Sequence, residues 1–181
     1  MSELAAPEAM PFDTRAFRTC LGQFPTGVCV VTTDVESQLV GMTISSFNSV
    51  SLDPPLILFS ITRSSRSLPL WQRASAYAVN VLSENQQNLS NRFSRQSPDK
   101  WEGITFSRGF AGAPVLPGTA AALECSTYAQ HDAGDHVLFI ARVERFIAQP
   151  SRSPLVFCKG SYGTLKKSGE SADLWPLDIH Y

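Results

Sequence analysis

The chain has 181 residues, 43% of them hydrophobic and 17% charged, with 15 Lys and Arg against 16 Asp and Glu. That balance suits one globular domain with a real core, and a net charge of −1 argues against a surface built for nucleic acid or acidic membranes. The apolar runs are strand-sized, far short of the roughly 20 residues of a membrane span. So little charge also implies that some surface is buried against a partner.

The segment 1–11 carries acids and no basic start before an apolar stretch, so it reads as a disordered tail rather than a secretory signal. Asp13 or Thr14 can cap a helix reaching about Phe24, with Phe17, Cys20, Leu21 and Phe24 on one face. A β-branched strand follows from Gly27 to Thr33, then a polar hairpin turn at 34–38. In the next strand, 39–47, Val40, Met42 and Ile44 point to a core face. Gly41, Thr43 and Ser45 line the other face with small side chains. Asp53-Pro54-Pro55 breaks the chain before an apolar strand at 56–61.

A short helix is expected at 64–74, a strand at 77–82, and a helix at 84–94 that stacks Leu89 on Phe93. The segment 98–117 is rich in Gly and Pro, with a short strand expected at 104–106. Two long strands, 121–130 and 136–149, are joined by Asp132-Ala133-Gly134, and a last strand covers 155–159. About seven strands in succession, with few helices, predict a mainly β fold, an antiparallel barrel with peripheral helices. One domain is expected over 12–166, with a C-terminal tail at 167–181.

The four cysteines form no CxxC pair. Cys29, Cys125 and Cys158 each sit in an apolar strand-like run, as buried free thiols in a reducing cytoplasm would. No close-spaced ligand pairs suggest a metal, and the His131–His136 cluster with Asp132 and Asp135 falls in a turn. No GxSxG elbow, GxxxxGK[ST] loop or GxGxxG turn is present. A nicotinamide nucleotide would therefore not be held in Rossmann fashion.

Several segments, in order, resemble the flavin reductase domain family. They are Pro25-Thr26-Gly27-Val28, Gly41-Met42-Thr43-Ile44-Ser45-Ser46-Phe47, Pro54-Pro55-Leu56, Asn80-Val81-Leu82-Ser83, Gly134-Asp135-His136, Pro154-Leu155-Val156 and Tyr162. The resemblance runs from about Phe17 to Leu165. It implies a split barrel, usually a homodimer, that binds FAD or FMN near the subunit interface. It implies reduction of that flavin by NADH or NADPH, with hydride passing from nicotinamide C4 to flavin N5. It is nearest to the short reductase components that hand reduced flavin to flavin-dependent monooxygenases acting on phenols, chlorophenols or 4-hydroxyphenylacetate. Such an enzyme would be cytoplasmic and need no metal, membrane or nucleic acid.

The resemblance assigns candidates for flavin contact. Thr26, Thr43, Ile44, Ser45, Ser46 and Phe47 come from the first strands, where small hydroxyl residues let backbone N–H groups approach a ring or phosphate. On pattern alone, Thr and Ser there suit a solvent-facing strand edge equally well. Ser60, Ile61 and Ser67 come from the next strand and its exit, which reads alternatively as a plain core strand ending in a polar loop. Arg92, Phe93 and Lys100 are weaker candidates, since Phe93 pairs with Leu89 and Lys100 reads as a solvated charge. Tyr162 would cover the ring or close the dimer, Asp135 would fix the turn, and Trp71 and Trp101 read as packing residues. His136, opening a strand after a Gly-Asp turn, would seat the nicotinamide by stacking or hydrogen bonding. The alternative function is a non-catalytic flavin store or sensor, which needs no nicotinamide seat.

Overall fold

The computed structural model describes residues 12–165. The tails expected at 1–11 and 167–181 lie outside them. In chain order the elements are α1 (Thr14–Leu21), β1 (Thr26–Gly27), β2 (Cys29–Val35), β3 (Gln38–Ile44), β4 (Asn48–Leu52) and β5 (Pro55–Thr62). Then come α2 (Leu68–Arg73), β6 (Ala76–Val81), α3 (Gln87–Ser94), β7 (Ser107–Arg108) and β8 (Pro114–Val115). The long strands β9 (Ala121–Ala133) and β10 (His136–Ala148) follow, then β11 (Val156–Cys158) and β12 (Ser161–Gly163).

Seven strands form one antiparallel sheet in the order β3-β2-β6-β9-β10-β5-β4. Its two edge strands, β3 and β4, are consecutive in the chain and joined only by residues 45–47. Three residues cannot span an open seven-stranded sheet, so the sheet must curl until its edges meet. Ser46 holds that seam: its hydroxyl accepts from the Ser60 backbone N–H at 3.0 Å and donates to the Ser60 carbonyl at 3.2 Å. The result is the mainly β, antiparallel split barrel expected from the sequence. A small sheet, β1-β11-β12, joins one end through Val28, Leu82 and Leu155, which exchange backbone hydrogen bonds of 2.8–3.1 Å.

The alternation of β5 and β10 sends Ile57, Phe59, Ile61, Val137 and Phe139 inward. There Phe59 and Phe139 stack at 5.2 Å with Trp71 and Tyr77 around them, all four fully buried. Trp71 is how α2 closes the barrel end, its indole N–H donating to the Ser67 hydroxyl at 3.1 Å. A second core lies under α3, from Val28, Val30, Leu82, Phe93, Leu116 and Leu155. Asn80 ties this core together. Its amide donates to the Val30 carbonyl and accepts from Leu116 N–H at 2.8 Å, satisfying a polar group buried in β6.

Several sequence expectations shift. The first helix stops at Leu21, not Phe24, and its apolar face meets solvent: Phe17, Leu21 and Phe24 are all exposed. The helix expected at 64–74 is cut to α2, and 84–86 is a 3-10 turn leading into α3. The strand expected at 104–106 is instead the β7–β8 pair. Cys29 and Cys125 are buried, and burial pushes each thiol up to about 12. Cys158, expected to be buried, is half-buried at the end of β11, the middle strand of the small sheet.

The β2–β3 hairpin turns on Glu36 and Ser37, both at positive φ (52° and 66°), the backbone that Asn-Gly adopts most readily. Replacing the pair with Asn-Gly relieves two side chains of that conformation. Glu36 gives up only an exposed 3.5 Å contact to Arg73. The double variant should be more stable by about 1 kcal/mol, raising Tm by roughly 2–4 °C in thermal denaturation.

Candidate functional site

Gly41 is where the site begins. It lies buried in β3, and a Cβ there would stand 2.5 Å from the Phe93 ring and 3.0 Å from Trp101. The missing side chain lets α3 sit flush on β3. Thr43, one turn of the pleat away, donates its hydroxyl to the Ser90 carbonyl at 2.7 Å and fixes α3 in register. On its far side α3 is held by Tyr162, whose hydroxyl meets Ser90 Oγ and Asn91 Oδ1, both at 2.9 Å. The small-residue face of β3 is therefore neither a bare edge nor wholly ligand surface. Part of it is the seat of a helix.

The chain leaving α3 turns back at 95–100. Arg92 fixes that turn, its guanidinium donating to the carbonyls of Asp99, Lys100 and Glu102. Lys100 reaches back to the carbonyls of Gly41 (3.2 Å) and Phe93 (3.4 Å), the latter at the C-terminal end of α3, where a cation is favoured. Half-buried there, its ammonium has a pKa lowered from the usual lysine value by desolvation.

Between this turn and the end of β5 lies a cavity of about 640 Å³. Its walls are Met42 and Thr43 of β3, Thr62 at the end of β5 with Ser65, Arg66 and Ser67 beyond it, and Phe93 with residues 94–98 and Lys100. Arg66, Arg95 and Lys100 give it three cations and no acidic side chain. Arg66 and Arg95 form no ion pair among the described residues. A cavity of this size with apolar and hydroxyl walls fits a planar, polar-edged ring, and its unpaired guanidiniums fit phosphate. A second cavity, about 460 Å³, shares Arg95, Ser97 and Lys100 and is lined also by Arg92, Asp99 and Glu102.

The structure thus gathers Thr43, Ser67, Phe93 and Lys100 from the sequence candidates onto one cavity. The others stand elsewhere. Ile44 and Ile61 point into the core, and Phe47 packs against it. Ser45 is exposed in the β3–β4 link, while Ser46 and Ser60 close the seam. Thr26 pairs with Phe157 in the small sheet. Arg92 and Tyr162 spend their polar groups on the turn and on α3. Met42 packs against the core as its alternation predicts and also forms part of the wall, while Arg66 and Arg95 are not among the sequence candidates. Both arginines lie in polar stretches with no periodicity, so nothing local marks them.

His136 does not itself line the cavity, but it neighbours a residue that does. It opens β10 directly across from Thr62, a cavity residue. The turn before it is Gly134-Asp135, one residue later than expected, with Gly134 at φ 59°. Asp135 Oδ1 lies 2.7 Å from His136 Nδ1, and this contact holds the Asp135 carboxyl below its ordinary pKa. With that carboxylate ionised, Nδ1 carries the ring proton in the neutral imidazole, leaving Nε2 as a hydrogen-bond acceptor.

A split barrel with a cationic, hydroxyl-lined cavity beside a Gly-Asp-His turn defines a flavin-nucleotide-binding barrel. The chain belongs to the flavin reductase like domain family, whose model matches residues 21–166. It is 41% identical to the reductase subunit of a flavin-dependent monooxygenase from Rhodococcus jostii (strain RHA1), over 99% of this chain and 93% of that one. It is 42% identical to an FMN reductase (NADH) from Agrobacterium fabrum, over 86% of this chain and 88% of that one. Among solved structures it resembles the NADH:FAD oxidoreductase of Streptomyces globisporus C-1027 in complex with NAD and FAD fragments. That match has a TM-score of 0.83 and 31% identity, and covers 93% of this chain and all of the other (100%).

Gly41→Ala should force Phe93 and Trp101 off β3. Overpacking of this kind costs about 1–3 kcal/mol, and the displaced α3 should also weaken flavin binding. Gly163→Ala, where a Cβ meets nothing within 4 Å, is the control and should be neutral in denaturant melts and flavin titration.

Proposed function

We propose that the chain is an NAD(P)H-dependent flavin reductase that supplies reduced FAD or FMN to a partner flavin-dependent monooxygenase. The observation that carries this is one cavity with three cations and no acid, whose wall residue Thr62 pairs across the ladder with His136 of the Gly134-Asp135-His136 turn. The named relatives support it, each being a flavin reductase or the reductase subunit of a monooxygenase.

In this reading Arg66 and Arg95 hold the flavin phosphate, and Thr43, Ser65 and Ser67 face the ring's polar edge. Lys100 stabilises the negative charge of the reduced form. The flavin supplies the hydride-accepting chemistry. His136 offers Nε2 to the nicotinamide carboxamide, orienting the nucleotide at the rim. Alignment, rather than proton transfer, is the protein's contribution. Purified protein mixed anaerobically with FAD or FMN and NADH or NADPH should bleach the flavin's visible band, with or without chelator. Absence of bleaching with every pair would overturn the reading.

His136 separates this reading from a flavin store. His136→Ala should cut kcat/KM for the nucleotide about tenfold, near 1–2 kcal/mol, while flavin fluorescence quenching stays as in the parent. An unchanged nucleotide profile in a variant that binds flavin normally favours the store.

The enzyme is also proposed to be a cytoplasmic homodimer. Phe12, Phe17, Leu21 and Phe24 lie exposed on and around α1, Val50 and Leu52 are exposed on β4, and Phe146 and Ile147 near the end of β10. An eight-residue helix with no buried residue among the described residues is too short to persist unaided. The two buried, protonated thiols suit a reducing compartment. Sedimentation equilibrium should give twice the chain mass; a fully active monomer would overturn the dimer.

A further inference from the structure

We infer that Arg63 is a positioning residue for nicotinamide use, acting through the turn that carries His136. This rests on the reading of His136 given above. Arg63 follows β5 immediately and grips the β9–β10 turn at three points. Its backbone N–H donates to the Asp135 carbonyl at 2.8 Å, and its Nε donates to the Gly134 carbonyl at 3.0 Å. Its terminal nitrogen pairs with the Asp132 carboxylate at 2.5 Å. The side chain alone fixes two of the three, one on each side of Ala133, in the planar fork that only a guanidinium supplies.

The location gives this grip a consequence. Thr62 before it and Ser65 and Arg66 after it line the cavity, and Thr62 faces His136 across the β5–β10 ladder. Arg63 therefore ties the rim that presents His136 to the wall that holds the flavin. Arg63 does not itself line the cavity; its guanidinium is committed to the turn, whereas that of Arg66 forms no ion pair among the described residues. The bond to Asp132 is exposed on both sides (44% and 77%), so as an ion pair it adds little to stability. What it supplies is a fixed angle for a two-residue turn, and the protein should fold without it.

The test is a cycle of Arg63→Ala, Arg63→Lys, His136→Ala and the double variant Arg63→Ala/His136→Ala. Three quantities are read in each: flavin affinity by fluorescence quenching, KM and kcat for NADH, and the imidazole 1H–15N NMR signals, with His136→Ala assigning that of His136. Arg63→Ala should raise KM for NADH roughly fivefold, with kcat and flavin affinity within about twofold of the parent. Arg63→Lys should recover only part of the loss. The His136 signal should shift in Arg63→Ala, and the double variant should be no worse than His136→Ala alone.

Additive losses in the double variant would mean that Arg63 meets the nucleotide directly, and would overturn the inference. So would an equal loss of flavin affinity, or a His136 signal unmoved in Arg63→Ala. Should His136→Ala leave NADH kinetics untouched, the seat assigned to His136 falls, and the inference falls with it. A His136 signal that still shifts in Arg63→Ala would then show the strap to be real and the error to lie in the seat.

Discussion

The site depends on a missing side chain. Because Gly41 presents no Cβ, the rings of Phe93 and Trp101 can lie against β3, and α3 with them. The end of α3 supplies Phe93, Ser94 and Arg95 to the cavity, and the turn beyond it supplies Lys100. Close packing makes the arrangement nearly all-or-none, since a ring cannot move half a methyl aside without disturbing its neighbours. Thr43 and Tyr162 clamp the same helix from opposite sides, at Ser90. The polar bonds set its register; the glycine sets its distance.

The cavity thus has two walls of different origin. One is built on α3 and its C-terminal turn, locked by Arg92 on three carbonyls and by Lys100 on two. The other is the exit of β5, where Ser67 is locked to the buried Trp71 and Thr62 pairs across the ladder with His136. The Ser46 seam joins them, since it links the end of β3 to β5. A flavin between the walls would touch both, whereas a nucleotide at the His136 rim would touch chiefly the second.

Much of this was legible in the sequence. Alternation along β5 and β10, the turn residues and the succession of strands gave the barrel, because period-two patterning is a local property. The Gly-Asp-His turn was legible too, since Gly134 occupies a backbone region that favours glycine. What was not legible is which neighbour covers a face. The apolar stripe of α1 is legible as a stripe, yet none of its residues is buried among the described residues. Gly41 and Thr43 were read as a small-residue face, but whether a ligand or a helix uses that smallness is a tertiary fact. Arg92 and Tyr162 have the chemistry of ligand contacts and spend it on backbone and helix instead.

Lys100 shows why residue type and ligand role separate at such a site. Its ammonium donates to the Phe93 carbonyl at the end of α3 and to the Gly41 carbonyl of β3, so it ties the helix terminus to the strand whether or not a ligand is present. Burial simultaneously lowers its pKa, a sign that the charge is costly where it stands. A bound anion would offset that cost, while the two carbonyls already hold the ammonium in place. Arg66 and Arg95, by contrast, line the cavity without an ion pair among the described residues. The cavity therefore combines one cation hydrogen-bonded to the protein with two that have no ion pair among the described residues. That division would let the fixed charge orient a bound anion while the two unpaired guanidiniums add their hydrogen bonds on binding.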